Sequence, residues 1–403
     1  MKRLEGGWPS GVVAESTLPG QAYIDPVGFQ RELERIWFDT WLCVGRVEQV
    51  PHAGDFLTRP VGDESVIVLR NRAGGISAFY NVCRHRGTRL CPEDGGTLKG
   101  AVIRCPYHGW TYETTHGGLI AAPNVPEGAD FDKAGFPLFA LRVETWEGFI
   151  WINFNPRSVS LSESLGLPAT YAFYEKYRVG ELKAGAVMEY DVRANWKLLM
   201  DNGLECLHCS YVHPELSRCT PPALPRRWLH EELPESAVFK HSGSMELAAG
   251  FHTVSLDGTP RRPRFADLIP ADARSIYYAW VYPHMMYGFA PDYVFVLTLL
   301  PVAVAHTKVW GYWLFDPEAM ARPEFDGSDA VEFWDLTNRQ DWRACELAQL
   351  GNRSRAYRDG GVLVQNEWRV QKFKRYVLDA VQRVTLGGGA DGTASAVTPR
   401  AGR

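Results

Sequence analysis

An α+β fold is predicted, with a small, mostly antiparallel β domain ahead of a larger antiparallel sheet covered by helices. Three observations predict it. Short β-rich runs (ESVIVLRN, ISAFYNV, AVIRCP, GFIWINF) crowd residues 45 to 155 between Gly, Pro and Asp turn signals. A second set rich in aromatic and β-branched residues, SIYYAWVYP, DYVFVLTLLP and TKVWGYWLF, fills residues 275 to 315. Two helical segments, roughly 328 to 350 and 362 to 382, then follow, the second turning Val362, Trp368, Phe373 and Tyr376 toward a core.

Taken in chain order, the first element is a helix over residues 26 to 41, where Phe29, Leu33, Ile36 and Trp37 recur at i, i+4, i+7 and i+8. Residues 1 to 44 form an N-terminal helical part and 45 to 160 the β domain. A serine-rich join near 158 to 164 opens the larger domain, 161 to 385. In it MEYDVRANWKLLMDNGLECLHC hands a strand over to a helix. From Leu386 the sequence is Gly/Ala/Ser/Thr-rich without apolar periodicity, so 386 to 403 is predicted to be a disordered tail. No repeat of solenoid type is present.

Composition narrows the function classes. The 403 residues are 45% hydrophobic and 22% charged, as in ordinary globular enzymes, and the net charge of −4 with no basic run disfavours a nucleic-acid partner. MKRLEGGWPSGVV lacks the apolar run of a signal peptide, and no segment has eighteen uninterrupted apolar residues, so a cytoplasmic protein with no membrane span is predicted. Eight cysteines in a chain of this length point to reduced thiols or metal ligands rather than a disulfide scaffold.

Chemistry concentrates in two places. Residues 201 to 216, DNGLECLHCSYVHPEL, allow three readings. Cys206 and Cys209 form a C-x-x-C that suits half a zinc site or a redox pair. Glu205, His208 and His213 suit an N/O iron site. Or the stretch is a packed amphipathic helix. The second place is CRHRG at 83 to 87 with CPYHGW at 105 to 110, giving Cys83-x-His85 and, after a spacer of 19 residues, Cys105-x2-His108. Two loops that each offer one thiolate and one imidazole can share a two-iron cluster, both cysteines on one iron and both histidines on the other. Neutral imidazoles in place of thiolates raise such a cluster to roughly −150 to +300 mV. A Cys2His2 zinc site has the same ligand count, but zinc fingers pair their cysteines together and their histidines together. Gly87 and Gly109 suit tight loops whose amides could hydrogen-bond cluster sulfur.

These motifs resemble the Rieske non-haem iron oxygenases, the ring-hydroxylating oxygenase α-subunit family. CRHRG and CPYHGWTY match its cluster loops, and the likeness continues through NWKLLMDNGLECLHCSYVHPEL to cover roughly residues 20 to 385. The resemblance implies a Rieske [2Fe-2S] domain inserted into a helix-grip catalytic domain with a central antiparallel sheet. It makes Cys83, His85, Cys105 and His108 the cluster ligands, and His208 and His213 ligands of a mononuclear Fe(II). Glu205 takes the bridging-carboxylate position, Asn202 lies close to the iron, and Cys206 and Cys209 become structural. On an ideal helix of about 100° per residue, Glu205 and His208 share a face while His208 and His213 stand about 140° apart, so the helix must loosen before His213, as Pro214 favours. Asp329, Glu332, Asp335, Asp341 and Glu346 compete for the third ligand. The family places its aspartate a few residues before a Glu and a Gln, which selects Asp341 ahead of Glu346 and Gln349, with Asp335 second.

The family also implies a separate reductase of flavin or ferredoxin type drawing on NAD(P)H, O2 as co-substrate, a small-molecule substrate and a homotrimer. In the trimer the cluster of one subunit would serve the iron of the next through Glu205. Glutamate at that bridge, within DN-x-x-EC-x-HC…HPEL, is similar to the branch that oxidises quaternary ammonium compounds and betaines, where N-methyl hydroxylation ends in demethylation. The alternatives are an aromatic or heterocyclic ring hydroxylase, and an electron-transfer or zinc-binding module without oxygenase activity. Tyr277, Tyr278, Trp280, Tyr282, Tyr287, Phe289 and Tyr293 offer rings for a cation cage, though alternating aromatics are also ordinary strand packing. Cys91 and histidines 52, 116, 230, 241, 252, 284 and 306 match no ligand spacing and read as surface or core.

Overall fold

The computed structural model describes residues 15–123, 125–126, 129–221, 226–227, 237–364 and 367–382. The N-terminal stretch read for a signal peptide and the predicted tail 386 to 403 lie outside them. Among the described residues no helix is long and apolar enough to cross a membrane.

A seven-stranded antiparallel sheet organises the larger domain, in the order Lys183–Val192, His306–Phe315, Val294–Ala303, Met285–Phe289, Ser275–Val281, Phe239–Glu246 and Arg226–Arg227. Its central strands are buried on both faces, which explains their near-continuous apolar sequence. Alternation sorts the side chains. Tyr287 and Tyr312 turn toward Phe149 of the β domain, at ring distances of 6.3 and 5.7 Å. On the opposite face Phe295 stacks on Trp334 at 4.7 Å and Trp313 Nε1 donates to the Ala330 carbonyl. Trp334 and Ala330 belong to the long helix Ser328–Gly351, so the sheet lies between the β domain and a helical layer.

The β domain holds a four-stranded sheet in the order Ile76–Tyr80, Glu64–Arg70, Asp55–Val61, Gly95–Thr97, and a three-stranded sheet of Val102–Arg104, Thr111–Glu113 and Leu119–Ala121. A separate small core of Phe56, Ile67, Phe79, Leu90, Ile103, Trp110 and Tyr112 sits between them. Strand Leu42–Arg46 pairs with Phe149–Asn153.

The N-terminal helix runs over Pro26–Glu32, capped by the Asp25 carboxylate, and then widens into a π-helical turn, Leu33–Trp37. At its end Glu32 is buried against the helix Trp196–Gly203. Lys197 Nζ approaches both Glu32 carboxylate oxygens at 2.6 and 2.7 Å, and Trp196 Nε1 donates to Oε2 at 2.8 Å. The Lys197 side chain is wholly buried, and burial lowers its pKa against the pull of Glu32. In the C-terminal region the second helix begins at Trp368 rather than near 362. Val362 and Leu363 instead pair with Glu15–Ser16, which leaves Val362 65% exposed and corrects its predicted place in the core.

Glu32→Ala strands an ammonium in the core, a loss of about 3 kcal/mol or more. Thermal unfolding should show a markedly lower Tm, with most of the loss recovered by Glu32→Leu combined with Lys197→Met. A single variant that melts with the wild type would show that the pair contributes nothing.

Candidate metal centres

The helix Trp196–Gly203 delivers Asn202 and ends where Gly203 meets the Trp280 ring: a Cβ there would come within 2.4 Å of the indole. The chain then leaves the helix. Glu205 accepts a hydrogen bond from the Leu207 backbone N–H, a local bond that competes with helical pairing. Short helices resume at Cys209–Val212 and Pro214–Cys219, with His213 between them at φ −123°, ψ 76°. The predicted loosening before Pro214 is present, and a second break at 204 to 208 replaces the single bent helix of the sequence reading. Cys206 and Cys209 are joined by a disulfide with Cα atoms 5.0 Å apart, which corrects the expectation of reduced thiols at this pair, while the other six cysteines are free and buried.

These breaks bring His208 and His213 together opposite Asp341 of the long helix. Asp341 Oδ1 lies 3.2 Å from His208 Nε2 and 2.9 Å from His213 Nε2, and the three donor atoms fall within 4.8 Å of one another. Each imidazole is held from behind: His208 Nδ1 is 2.5 Å from Glu205 Oε1, and His213 Nδ1 is 2.7 Å from Gln340 Oε1. Gln340 Nε2 in turn donates to Glu215 at 3.1 Å. Hydrogen bonds from Nδ1 to these oxygens turn both Nε2 atoms toward Asp341, the orientation a metal needs once any Nε2 proton is displaced. Asn202 Nδ2 donates to Asp341 Oδ1 at 3.0 Å. Burial would lower the His208 pKa, but Asp341 and Glu205 outweigh it and push it up to about 10. Burial works against ionised Asp341 as well, yet hydrogen bonds from both imidazoles hold its pKa below the usual value. This is a site built to accept positive charge, and two imidazoles with one carboxylate form the facial donor set of non-haem iron(II), leaving positions open.

The other acidic candidates are employed elsewhere. Asp329 pairs with buried Arg262 at 2.5 Å, Asp335 with Arg339 at 2.9 Å, and Glu346 accepts the Arg193 N–H at 3.1 Å. Glu332 is not among the clustered donors. Gln349 accepts the Asn195 N–H at 2.7 Å, tying the long helix to the start of the Asn202 helix. Gln340 and Glu215 were missed in the sequence reading. Their one signal is adjacency, to Asp341 and to Pro214.

A cavity of about 560 Å³ opens onto the triad. Of the seven rings offered as a cage, Tyr278 and Trp280 line it. Tyr277, Tyr287, Phe289 and Tyr293 are buried in the core and Tyr282 packs on Phe373. Trp334 and Trp342 of the long helix supply the other rings, and His284, read as surface or core, also lines the wall. A second cavity of about 270 Å³ also reaches Glu205 and His208, past Tyr23, Asp201, Glu367 and Lys374.

In the β domain the loops at 83 to 87 and 105 to 109 lie side by side. Cys83 and Cys105 are 3% and 2% exposed, whereas His85 is exposed and packs on His108 at a ring distance of 4.6 Å. His85 also stacks on Trp110 at 4.9 Å. Burial raises the Cys83 pKa, so a thiolate there needs a metal to compensate it. The paired thiols inside and paired imidazoles outside fit a cluster with one iron on each pair. Gly87 and Gly109 adopt φ of +70° and +73°, as the tight loops require. Their amides donate to the Cys83 and Cys105 carbonyls at 3.0 and 3.1 Å, closing the loops rather than pointing at sulfur.

Among known proteins, residues 40–145 match the Rieske [2Fe-2S] domain and residues 179–383 the ring hydroxylating alpha subunit (catalytic domain). The chain is 31% identical over 380 residues to a glycine betaine monooxygenase oxygenase subunit of Pseudomonas aeruginosa, across 89% of this chain and 87% of that protein. It is 30% identical over 350 residues to a carnitine monooxygenase oxygenase subunit of Escherichia coli, across 86% of each. A quaternary ammonium Rieske monooxygenase crystallised with its substrate gamma-butyrobetaine aligns with a TM-score of 0.72 at 25% identity, over 92% of this chain and 96% of that one.

Asp341→Ala should lower mononuclear iron content at least tenfold, by metal analysis after anaerobic loading, while the EPR signal of the reduced cluster persists. Asp335→Ala should keep both. Full iron in the Asp341 variant would exclude that carboxylate as a ligand.

Proposed function

We infer that this chain, which belongs to the Rieske ring-hydroxylating oxygenase alpha-subunit family, is the oxygenase component of a cytoplasmic system that N-demethylates a small quaternary ammonium or betaine-like compound. The family carries a Rieske [2Fe-2S] cluster and a mononuclear iron. In this reading Cys83, His85, Cys105 and His108 hold the cluster, and His208, His213 and Asp341 hold the iron. The observation that carries it is the triad at the wall of a cavity whose other lining is largely apolar and aromatic.

Iron(II) held by His208, His213 and Asp341 would supply the dioxygen-activating chemistry. The side chains do the rest. Tyr278, Trp280, Trp334 and Trp342 line the cavity and offer aromatic surface to a cationic head, and among the described residues the two acidic side chains lining it, Glu205 and Asp341, are already engaged by imidazoles. An onium group therefore meets aromatic surface rather than an ion pair, with an N-methyl group free to approach the metal position. One O2, two electrons and two protons convert the N–CH3 into N–CH2OH and water. The N–CH2OH then breaks its C–N bond, releasing formaldehyde, a proton and the tertiary amine. Glycine betaine and carnitine oxygenase subunits among the relatives support this substrate class.

Electrons come from a separate reductase of flavin or ferredoxin type drawing on NAD(P)H. In a homotrimer, the exposed His85 and half-buried His108 of one subunit approach the second cavity of its neighbour, where Glu205 links an incoming imidazole to His208. Exposed Tyr211 and Leu207, beside that carboxylate, offer apolar surface for such a contact, at 90% and 41% exposure.

With a generic reductase, betaine-type substrates should give formaldehyde and the demethylated amine in a one-to-one ratio with O2 consumed. A labelled diol or phenol from arene acids instead would move the protein to the ring-hydroxylating branch. Glu205→Gln should retain both metal centres yet slow cluster reoxidation by substrate and O2 by about a hundredfold in stopped-flow absorbance. Wild-type reoxidation would remove Glu205 from the electron path.

A further inference from the structure

One buried imidazole has no task in this scheme. His284 lies in the turn between Ser275–Val281 and Met285–Phe289, is wholly buried and lines the iron cavity. Its Nε2 is 2.7 Å from the Cys43 backbone N–H. An amide can only donate, so Nε2 carries the lone pair and the single proton of the neutral ring sits on Nδ1. Burial lowers the His284 pKa to about 3, which keeps the ring neutral and this tautomer fixed. Trp37 and Trp151 turn ring edges to it at 6.4 and 5.6 Å. Among the described residues Nδ1 has no hydrogen-bond partner.

A buried donor left unpaired costs about 1–3 kcal/mol, so a polar partner entering the cavity gains that amount on meeting it. The Trp342 indole N–H is also buried without a hydrogen-bond partner among the described residues, on a cavity-lining side chain that is half-buried as a whole. His284 is wholly buried.

The sheet register locates the residue. Trp280, Met286 and Leu297 form one transverse row of the cavity wall, and Gly203 of the metal-bearing segment rests on Trp280. Leu299 and Val309 form the next row, and the Leu299 N–H donates to the His284 carbonyl at 2.8 Å. Two residues along a strand separate the rows, about 7 Å. His284 thus stands one row beyond Trp280.

We propose that His284 is a specificity-determining residue whose Nδ1–H donates to a carboxylate oxygen of the substrate, at the end remote from the reacting methyl group. The carboxylate follows from the inferred function, a betaine being an onium and an acid in one small molecule. The imidazole selects the acid while the aromatic wall holds the cation.

The test is calorimetric binding to anaerobic holoenzyme with the cluster oxidised, so no turnover is needed. Two matched pairs serve as probes: glycine betaine with ethyltrimethylammonium, and benzoate with toluene. Wild type should prefer the acid of a bound pair by about tenfold or more. His284→Met, whose sulfur still accepts from the Cys43 amide but donates nothing, should bring that ratio to near one, as should His284→Phe. His284→Gln, with both an acceptor and a donor, should restore it in part. A merely structural role would weaken both members of a pair alike and leave the ratio intact. Loss of preference in the betaine pair supports the assignment. Loss in the arene pair alone, with no betaine bound, supports His284 and removes the ammonium reading. Betaine binding with an unaltered ratio in His284→Met, or a wild type with no preference for the acid in either pair, overturns it.

Discussion

One carboxylate oxygen holds the catalytic domain's chemistry together. Asp341 Oδ1 receives the Asn202 amide and faces both imidazole Nε2 atoms, so a helix, an irregular turn and a second helix far along the chain converge on a single atom. Burying an ionised carboxylate is costly unless it is paired and hydrogen-bonded. Here three nitrogen atoms surround it, and the Glu205 and Gln340 oxygens fix the rings from behind. The arrangement is electrostatically self-consistent before any metal arrives, which is why the side chains are gathered closely enough for a cation to displace protons rather than reorganise the fold.

Much of this was legible in the sequence because cluster loops and strands carry local signatures. A Cys-x-His and a Cys-x2-His with nearby glycine need only short-range geometry, and the strand runs at 275 to 315 are long and β-branched. The break after Gly203 was not legible, because it depends on Glu205 taking the Leu207 amide and on the Trp280 ring lying against Gly203. Val362 was misread for a related reason: its partner strand lies at Glu15–Ser16, at the other end of the described chain. Aromatic periodicity gave the number of rings but not their side. Alternation puts Tyr287 toward the β domain and Trp280 into the cavity, and only the assembled sheet tells the faces apart. Trp334 and Trp342 come from a helix the strand pattern could not include.

The two centres differ in their relation to solvent. In the β domain sulfur is inside and imidazole outside, so a cluster there presents its histidine iron to whatever docks on that surface. The triad is the reverse, with His213 1% exposed and its cavity walled by aromatic rings. In the proposed scheme, an outward electron entrance and an aromatic-lined reaction cavity divide the labour, because reducing equivalents arrive from a separate protein while the substrate binds away from that surface.

The buried contact of Glu32 with Lys197 has a practical corollary. Homology to the two family domains begins at residue 40, so a minimal expression fragment cut to those borders would discard Glu32. The ammonium left behind belongs to the helix that ends beside the metal position, and such a trimmed scaffold would lose its catalytic pocket through a deletion far from it in sequence.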